Sequence, residues 1–420
     1  MVLERVLTAY LKRRFTKTLQ LEVHPGAKPP SPERGIDYLL YVHIPFCEEL
    51  CPYCSFNRFP LDQELALSYF DALRMEIRTY RDLGFRFSAV YVGGGTPTVI
   101  PQAIARLLLE LREMFPVREV SLETNPNHLT NEMVTLLKEA GVNRLSVGVQ
   151  SFDDVLLEQM DRRRKYGSGS EIRERLGRYL GVFDTLNVDM IFNFPSQTLA
   201  MLKTDLAILE DLRVDQITFY PLMVSDITRA ELARRFGSIS YRQERIFYET
   251  ITERLADTYS NGTAWCFSRN RTMIDEYIVD YDEYVGAGSG AFGYTNGACW
   301  ANTFSVPDYI QALKGDRLPI FAKREFTLHE RIQYDFMMKL FGMSLDIKRS
   351  EAKFHGQFRK ILAKEIKVFK ALGAISEDKN HLYLTPLGRY LWVVMMREFF
   401  TGVNNFRDIC RASINQRAMS

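Results

Sequence analysis

The segment Tyr41-Val-His-Ile-Pro-Phe-Cys47-Glu-Glu-Leu-Cys51-Pro-Tyr-Cys54 brings three cysteines together in a C-x3-C-x2-C spacing. The apolar run Tyr38 to Ile44, which leads into it, predicts a strand. Three thiolates can ligate three irons of a 4Fe-4S cluster and leave the fourth iron open to an exogenous chelating ligand. The main alternative, structural zinc, takes four protein ligands, and no second Cys or His pair follows at the usual spacing. Buried cysteines without a ligand would require this spacing by accident.

Outward from this segment, short apolar runs alternate with longer segments of helical period. The predicted strands are 38–44, 89–92, 119–123, 144–148, 185–192 and 216–220. The predicted helices between them are 65–83, 102–114, 131–140 and 199–212. Because neighbouring parallel strands need a crossover, this alternation predicts an α/β fold, a partial (β/α)6 TIM-like barrel. Functional groups of such a barrel gather at the C-terminal ends of its strands.

The pattern predicts three units along the chain. Residues 1–36 form an N-terminal amphipathic helix and a linker rich in proline and glycine, and residues 37–314 form the barrel with its extension. Residues 315–420 form a mainly helical, winged-helix-type domain. Its predicted elements are helices over 326–339, 352–372 and 386–400, with a strand pair around 374–384.

The first helix is both basic and amphipathic. Its apolar residues from Val2 to Phe15 recur at helical spacing, and Arg5, Lys12, Arg13, Arg14 and Lys17 fill the positions between them. One interpretation is a helix docked on the body of the protein, and the other is a helix lying on a membrane surface.

Composition narrows the class of protein. With a formal charge of only +2 over 420 residues, no global basic field points to nucleic acid. Six cysteines are sparse, which favours a reducing cytoplasm over a disulfide framework. No uncharged apolar run of about 18 residues occurs, and the N-terminus lacks a secretory signal. We expect a cytoplasmic protein, peripheral at the inner face of the membrane if the first helix contacts lipid.

Further polar and glycine positions lie at the predicted strand ends. Gly93-Gly94-Gly95-Thr96-Pro97-Thr98 follows the second strand, where chain reversal without side chains exposes backbone N–H groups to a ligand. Glu123, Gln150, Arg162 and Asp189 lie at or just beyond later strand ends, which predicts that they line the barrel mouth. Arg162 also begins a run of four basic residues, a pattern that is usually a solvated face.

Together these motifs resemble the radical S-adenosylmethionine (SAM) superfamily. Within it, the chain is similar to the group of oxygen-independent coproporphyrinogen III oxidase, the haem chaperones and the class C radical SAM methyltransferases. The similarity runs from Asp37 to Met396. It implies a 4Fe-4S cluster on Cys47, Cys51 and Cys54, and reductive cleavage of SAM to methionine and a 5′-deoxyadenosyl radical. It further implies an electron donor such as flavodoxin or ferredoxin.

The resemblance also implies roles for the strand-end residues. The glycine turn would receive the amino group of the methionine moiety, and Thr96 would reach toward a second SAM. Glu123, Arg162 and Asp189 would hold the first SAM, and Gln150 would belong to the pocket beside it. The implied cofactor-binding residues are Tyr41, Tyr53, Gly94, Gly95, Thr96, Glu123, Gln150, Arg162 and Asp189.

The chain departs from two members of the group. The oxidase carries a further cysteine shortly after its cluster motif, where this chain reads Cys54-Ser-Phe-Asn-Arg-Phe-Pro. The haem chaperones carry a His-Asn…Tyr-Trp phrase before a glycine-rich turn. The matching region here, Asp275 to Ala291, keeps the glycine turn but lacks the histidine phrase.

Three functions follow from this comparison. The first is a methyltransferase that uses two SAM molecules to methylate an sp2 carbon of a planar aromatic molecule such as menaquinone. The others are a haem chaperone and a porphyrin-modifying oxidoreductase. The basic first helix and the apolar stretch Tyr390–Met396, followed by Phe399 and Phe400, favour a lipid-like aromatic, although ordinary helix packing also explains both.

The sequence assigns no functional role to the three other cysteines or to two tyrosines near the barrel mouth. We interpret Cys266, Cys299 and Cys410 as packing residues, since no grouping among them matches a cluster motif. Tyr220 and Tyr284 lie at barrel-mouth positions without an assigned role.

Overall fold

Six parallel strands form the centre of the computed structural model, which describes residues 7–9, 11–13, 19–270 and 277–418. The strands are β2 (Tyr38–Ile44), β5 (Phe87–Gly94), β6 (Glu119–Thr124), β7 (Arg144–Gln150), β8 (Thr185–Phe192) and β9 (Gln216–Pro221). They neighbour one another in chain order, each parallel to the next. The six predicted strands and the partial (β/α)6 barrel are therefore confirmed.

The other strands are short. They are β1 (Glu22–Val23), β3 (Phe46–Cys47), β4 (Phe59–Pro60), β10 (Ser260–Asn261), β11 (Cys266–Ser268), β12 (Tyr284–Ala287), β13 (Phe292–Thr295), β14 (Ala298–Asn302), β15 (Ile320–Glu325), β16 (Ser344–Asp346), β17 (Ile375–Glu377) and β18 (His381–Leu384).

Helices cover the sheet and build the C-terminal part of the chain. They are α1 (Gln63–Asp82), α2 (Pro101–Met114), α3 (Asn131–Glu139), α4 (Asp154–Gln159), α5 (Arg163–Tyr166), α6 (Gly169–Arg178), α7 (Leu199–Leu212), α8 (Asp226–Phe236), α9 (Tyr241–Leu255), α10 (Tyr277–Asp280), α11 (Val306–Lys314), α12 (Leu328–Phe341), α13 (Ile347–Lys353), α14 (Phe358–Ala371) and α15 (Pro386–Ala418).

Local sequence explains why the crossover helices begin where they do. The Asp62 side chain caps α1 by accepting a hydrogen bond from the Leu65 backbone N–H at 3.0 Å. The buried residues of α1, which include Tyr69, Leu73 and Ile77, recur at helical spacing. That face packs into the main hydrophobic core, so the helix is fixed on the sheet by burial of an apolar stripe.

The large sheet extends beyond the barrel at both edges. Strand β12 pairs in parallel with β2, and β13, β14, β15 and β1 follow as antiparallel neighbours. At the other edge, β11 and β10 continue antiparallel from β9. The sequence did not predict these strands, because runs of two to six residues carry too little alternation to be recognised.

Polar side chains fill the bottom of the barrel. Arg144 is 1% exposed, and its guanidinium donates to Gln216 Oε1 at 2.8 Å and to Ser121 Oγ at 2.9 Å. One layer higher, Asn187 Nδ2 donates to Ser146 Oγ at 2.8 Å. These inward-facing residues close the N-terminal end of the strands, so a ligand can reach the interior only from the C-terminal end.

The C-terminal part confirms a mainly helical arrangement around a small three-stranded sheet of β16, β18 and β17. The predicted helix 352–372 is wrong as one element, because His355 and Gly356 adopt positive φ angles of 51° and 76° and separate α13 from α14. The last helix runs to Ala418 rather than to residue 400. The division at residues 314/315 stays a prediction, and β15 still belongs to the large sheet.

The first helix is described only in part, at residues 7–9 and 11–13. Leu11 is 4% exposed, the Lys12 ammonium pairs with Asp226 at 2.9 Å, and Arg397 Nη2 donates to Thr8 Oγ1 at 3.1 Å. These contacts fit the docked interpretation. The rest of the predicted amphipathic stretch lies outside the described residues. In the described part of the chain, no helix is long and apolar enough to cross a membrane.

Candidate cofactor site and the adjoining cavity

The three motif cysteines lie on the loop that leaves the first barrel strand. Cys47 ends the short strand β3, which pairs in parallel with β4. Cys51 and Cys54 follow on the loop between these strands, and Arg58 Nη2 donates to their carbonyl oxygens at 2.6 and 2.7 Å. One guanidinium thus fixes the backbone around two of the three candidate iron ligands.

The glycine turn packs directly against this loop. Gly95 N donates to Ile44 O at 2.8 Å, and Thr96 N donates to Phe46 O at 2.7 Å. A Cβ at Gly95 would lie 2.5 Å from Phe46 O, so the backbones approach too closely for any other residue. The glycines therefore hold the cluster loop and the end of β5 together, and the N–H groups of the turn are used within the protein.

Glu123 faces the same turn from the next strand. Its Oε1 accepts a hydrogen bond from the Tyr91 hydroxyl at 2.9 Å, and its Oε2 accepts one from Gly94 N at 3.2 Å. A Cβ at Gly93 would collide with this carboxylate at 2.6 Å. The carboxylate thus occupies the space that the missing side chain leaves open.

A continuous chain of side-chain contacts joins two of the cysteines. Thr96 Oγ1 lies 3.7 Å from Cys47 Sγ, and Asn125 Nδ2 donates to Thr96 Oγ1 at 2.8 Å. On the other side, Arg162 Nη2 donates to Asn125 Oδ1 at 3.1 Å and Arg162 Nη1 lies 3.6 Å from Cys51 Sγ. Asn125 is the central member of this bridge.

Arg162 is buried, so the solvated-face interpretation of its basic run is wrong for this residue. Its guanidinium stacks 4.2 Å from the centre of the Tyr166 ring and donates to the Tyr53 hydroxyl at 3.3 Å. Burial alone would lower its pKa, but Tyr53 and Cys51 raise the pKa above the ordinary value. The charge at this point is therefore permanent, as recognition of a carboxylate requires.

Asp189 and Gln150 complete the mouth of the barrel. Asp189 accepts hydrogen bonds from Ser146 Oγ and Asn187 Nδ2, both at 2.8 Å, so the polar layer beneath it fixes its carboxylate. Gln150 adopts a positive φ of 75° at the end of β7, where the register shifts. The Tyr41 hydroxyl donates to His43 Nδ1 at 2.9 Å, and Tyr41, like the other two residues, lines the central cavity.

The three motif cysteines are the candidate ligands of a cluster. Among the described residues, no group of three or more His, Cys, Asp or Glu side chains is close enough to share one metal ion. A cubane cluster binds each thiolate to a different iron, so its sulfur ligands stand further apart than the ligands of one ion. Burial, with Cys54 nearby, raises the pKa of the Cys47 thiol to about 12, so the thiolate needs a bound cation for stability.

A cavity of about 810 Å³ continues from this site toward the C-terminal helices. All twelve predicted cluster and cofactor residues line it. Its remainder is mostly aromatic and aliphatic. The apolar lining includes Tyr284, Phe292, Tyr294, Phe326, Tyr334, Phe336, Met337, Leu362, Phe369, Met395, Phe399, Phe400 and Val403.

Some lining residues were not recognised from the sequence. Asn125 lies two residues after Glu123, but its bridging role depends on contacts with Thr96 and Arg162, which are distant from it along the chain. Cys299, interpreted as a packing residue, lines the cavity although it is only 8% exposed. Tyr220 and Tyr284 line it as well, as their barrel-mouth positions predicted. Cys266 and Cys410 are buried.

Comparison with known proteins agrees with this geometry. Residues 41–209 match the Radical SAM superfamily. Haem chaperone HemW of Bacillus subtilis (strain 168) is 29% identical over 84% of this chain and 96% of its own length. Oxygen-independent coproporphyrinogen III oxidase of Escherichia coli (strain K12) is 27% identical over 86% of this chain and 84% of its own length.

A third relative and one solved structure are also similar to this chain. Anaerobilin synthase of Escherichia coli O157:H7 is 28% identical over 74% of this chain and 71% of its own length. Among solved structures, coproporphyrinogen III oxidase (HemN) from Escherichia coli superimposes with a TM-score of 0.71 over 86% of this chain and 90% of its own. That pair is 23% identical, so the superposition establishes the fold.

Proposed function

Because the chain carries a radical SAM domain related to HemN and HemW, we propose that it generates a carbon radical beside the large cavity and uses it to methylate a planar aromatic molecule. The acceptor is an apolar ring system such as menaquinone. A 4Fe-4S cluster on the three motif cysteines would supply the electron that cleaves SAM. The observation that carries the proposal is the aromatic lining of the cavity.

Three arginines line the interior of the cavity. Arg58 donates to the cluster loop and Arg162 takes part in the bridge described above. Arg407 donates to Asn404 Oδ1 at 2.7 Å and packs 5.1 Å from the Phe56 ring centre. With only three interior arginines among the described lining residues, and a lining that is otherwise mostly apolar, the cavity favours an acceptor of low charge.

The strand-end residues would position the reactants. Glu123 presents a carboxylate beside the glycine turn, which suits the ammonium of SAM, and Arg162 presents a guanidinium, which suits its carboxylate. Asp189 presents a carboxylate fixed by Ser146 and Asn187, which suits hydroxyl donors of a ribose. The aromatic walls exclude water and so protect a carbon radical from side reactions.

The proposed reaction balances with two SAM molecules and two electrons from an external reductant such as flavodoxin or ferredoxin. The 5′-deoxyadenosyl radical takes one hydrogen from the methyl group of the second SAM, and the resulting carbon radical forms a bond to the ring. Cleavage of the C–S bond releases S-adenosylhomocysteine, and the ring hydrogen is replaced by the new methyl group after proton transfer. The other products are methionine and 5′-deoxyadenosine.

A tetrapyrrole ligand is the second candidate, and the names of the relatives favour it. The similar proteins are a haem chaperone, a coproporphyrinogen oxidase and an anaerobilin synthase. The cavity is large enough for a flat ring system. Among the described lining residues, however, there is no histidine, so a haem would have to use tyrosine, cysteine or methionine as its axial ligand.

The deciding experiment is anaerobic incubation of the reconstituted protein with dithionite and methyl-deuterated SAM. A short-tailed menaquinone in detergent, haem and coproporphyrinogen III would each be offered separately. We expect deuterium in the quinone, with 5′-deoxyadenosine and S-adenosylhomocysteine formed together. Stoichiometric haem binding without a methylated product, or loss of CO2 from coproporphyrinogen, would overturn methylation in favour of the second candidate.

Two cysteine variants provide matched controls. Cys51→Ala removes a candidate iron ligand and should abolish both the cluster absorbance and 5′-deoxyadenosine formation. Cys266→Ala changes a buried cysteine on β11, away from the motif, and should leave both unchanged.

A further inference from the structure

The cavity reaches the protein surface at helix α14. Its exposed lining residues are Phe56, beside the cluster loop, and Lys364, Val368 and Leu372, on α14 and its C-cap. Val368 is 55% exposed and Leu372 is 38% exposed. The apolar lining of the cavity therefore continues from the interior onto the protein surface at α14.

The outer face of α14 is strongly basic. Lys360, Lys364 and Lys367 are exposed and spaced at i, i+4 and i+7, which places them on one side of the helix. The buried residues Phe358, Leu362 and Ile366 lie on the opposite side. The lysine stripe thus faces solvent directly beside the apolar opening.

These three lysines are available for an external partner. No ion pair joins any of them to another residue in the part of the chain that the structure describes. The other two cations of the helix differ, because Arg359 and Lys370 both pair with Glu377, at 2.6 and 2.7 Å. Glu365, the one acidic residue of α14, accepts a hydrogen bond from Gln333 at 3.0 Å.

We propose that the outer face of α14 docks on an anionic lipid bilayer, so that an apolar acceptor passes from the membrane into the cavity between Val368 and Leu372. This inference rests on the proposed function, because only a membrane-dissolved acceptor needs such a path. Exposed apolar side chains flanked by lysines are the composition that binds an anionic bilayer surface. The first helix is a poorer candidate, since its described residues Leu7 and Leu11 line the cavity itself.

Vesicle co-sedimentation of the full-length protein tests the docking surface. Wild type should bind phosphatidylcholine vesicles that contain phosphatidylglycerol, weakly bind vesicles of phosphatidylcholine alone, and be released by salt. The double variant K360Q/K367Q leaves the cavity-lining Lys364 in place and should reduce partitioning onto the anionic vesicles by on the order of 25-fold, about five-fold per lysine. The matched control K28Q/K203Q removes the same charge from exposed positions elsewhere and should bind like wild type.

Methylation assays in detergent and in vesicles distinguish a failure of the docking surface from a failure of the proposed function. With a short-tailed quinone in detergent, the α14 double variant K360Q/K367Q should retain methylation, whereas with a long-tailed quinone in anionic vesicles it should lose activity in parallel with binding. Equal binding by both double variants, or no preference of wild type for anionic vesicles, would overturn the docking surface. Failure of methylation in detergent by wild type would instead overturn the proposed function and leave the binding result to stand alone.

Discussion

At the residue scale, Asn125 should tune the cluster without ligating it. It connects Thr96, beside Cys47, with Arg162, beside Cys51. Hydrogen bonds to cluster sulfurs stabilise the more negative reduced state and raise the reduction potential. We expect Asn125→Ala to keep its iron and to shift the midpoint potential downward by about 40 mV, which corresponds to about 1 kcal/mol for one electron.

A redox titration monitored by the electron paramagnetic resonance signal of the reduced cluster would measure that shift. Asn261→Ala is the matched control. Asn261 lies on the edge strand β10 and contacts Arg389 of α15, away from the cluster motif. An unchanged potential in Asn125→Ala would show that the bridge has only a structural role.

The buried His43 makes the stability of the folded protein depend on pH. Its Nε2 donates to Asn57 O at 2.7 Å, and burial, together with Arg407 and Arg411, lowers its pKa to about 3. In the unfolded chain the pKa is about 6.5. Below that value the unfolded state binds a proton that the folded state does not, so this contribution to stability is complete above pH 6.5 and decreases toward pH 3.

The His43→Gln variant should therefore lose part of this pH dependence. Between about pH 6 and pH 4, the free energy of unfolding of wild type should fall more steeply than that of the variant, by up to about 1.4 kcal/mol per pH unit. Chemical denaturation at several pH values would measure the difference. Parallel pH profiles would contradict a depressed pKa for His43.

At the scale of elements, the long helix α15 supports the cluster loop from outside the barrel. Arg411, near its end, donates to Phe56 O and, at 3.3 Å, to Asn57 Oδ1. Because this loop follows Cys54 directly, Arg411→Ala should allow it to open more often. We expect about ten-fold faster loss of the cluster in air, in line with about 1.5 kcal/mol for a hydrogen bond to a charged group.

The decay of cluster absorbance after exposure to air would measure this rate. Arg242→Ala, an exposed arginine on α9, should decay like wild type. If both variants lost the cluster equally fast, α15 would not be protecting the loop.

Elements also show how far the sequence alone could lead. The barrel strands were predictable because each is a buried apolar run, and a helix-period segment follows four of the six. The mouth positions of Glu123 and Gln150 were predictable because each lies at the end of such a strand. The bridge through Asn125 was not predictable, since it depends on side chains from separate elements. The hydrogen bonds from Arg58 to Cys51 O and Cys54 O were not, since they depend on the backbone conformation of an irregular loop. The break at His355 and Gly356 was missed because the apolar period continues across it, whereas the backbone angles do not.

At the scale of the whole molecule, the barrel and the C-terminal helices each contribute walls to one cavity. Substitutions of two valines on α15 test whether this cavity is open in solution. Both valines belong to the main core, but Val403 also lines the cavity, whereas Val394 is 1% exposed and does not. Val394→Trp should destabilise the fold by about 1–3 kcal/mol or more, because a packed core cannot accept the added volume.

Val403→Trp should behave differently, since its indole can extend into open space. We expect a melting temperature close to that of wild type, an intact cluster and continued acceptor-independent formation of 5′-deoxyadenosine, but at least ten-fold lower turnover of the aromatic acceptor. Thermal denaturation and product analysis of both variants would measure these effects. Because the two substitutions are chemically identical and lie on one helix, equal destabilisation would mean that the cavity closes in solution, whereas selective loss of acceptor turnover would place the substrate between the barrel and the C-terminal helices.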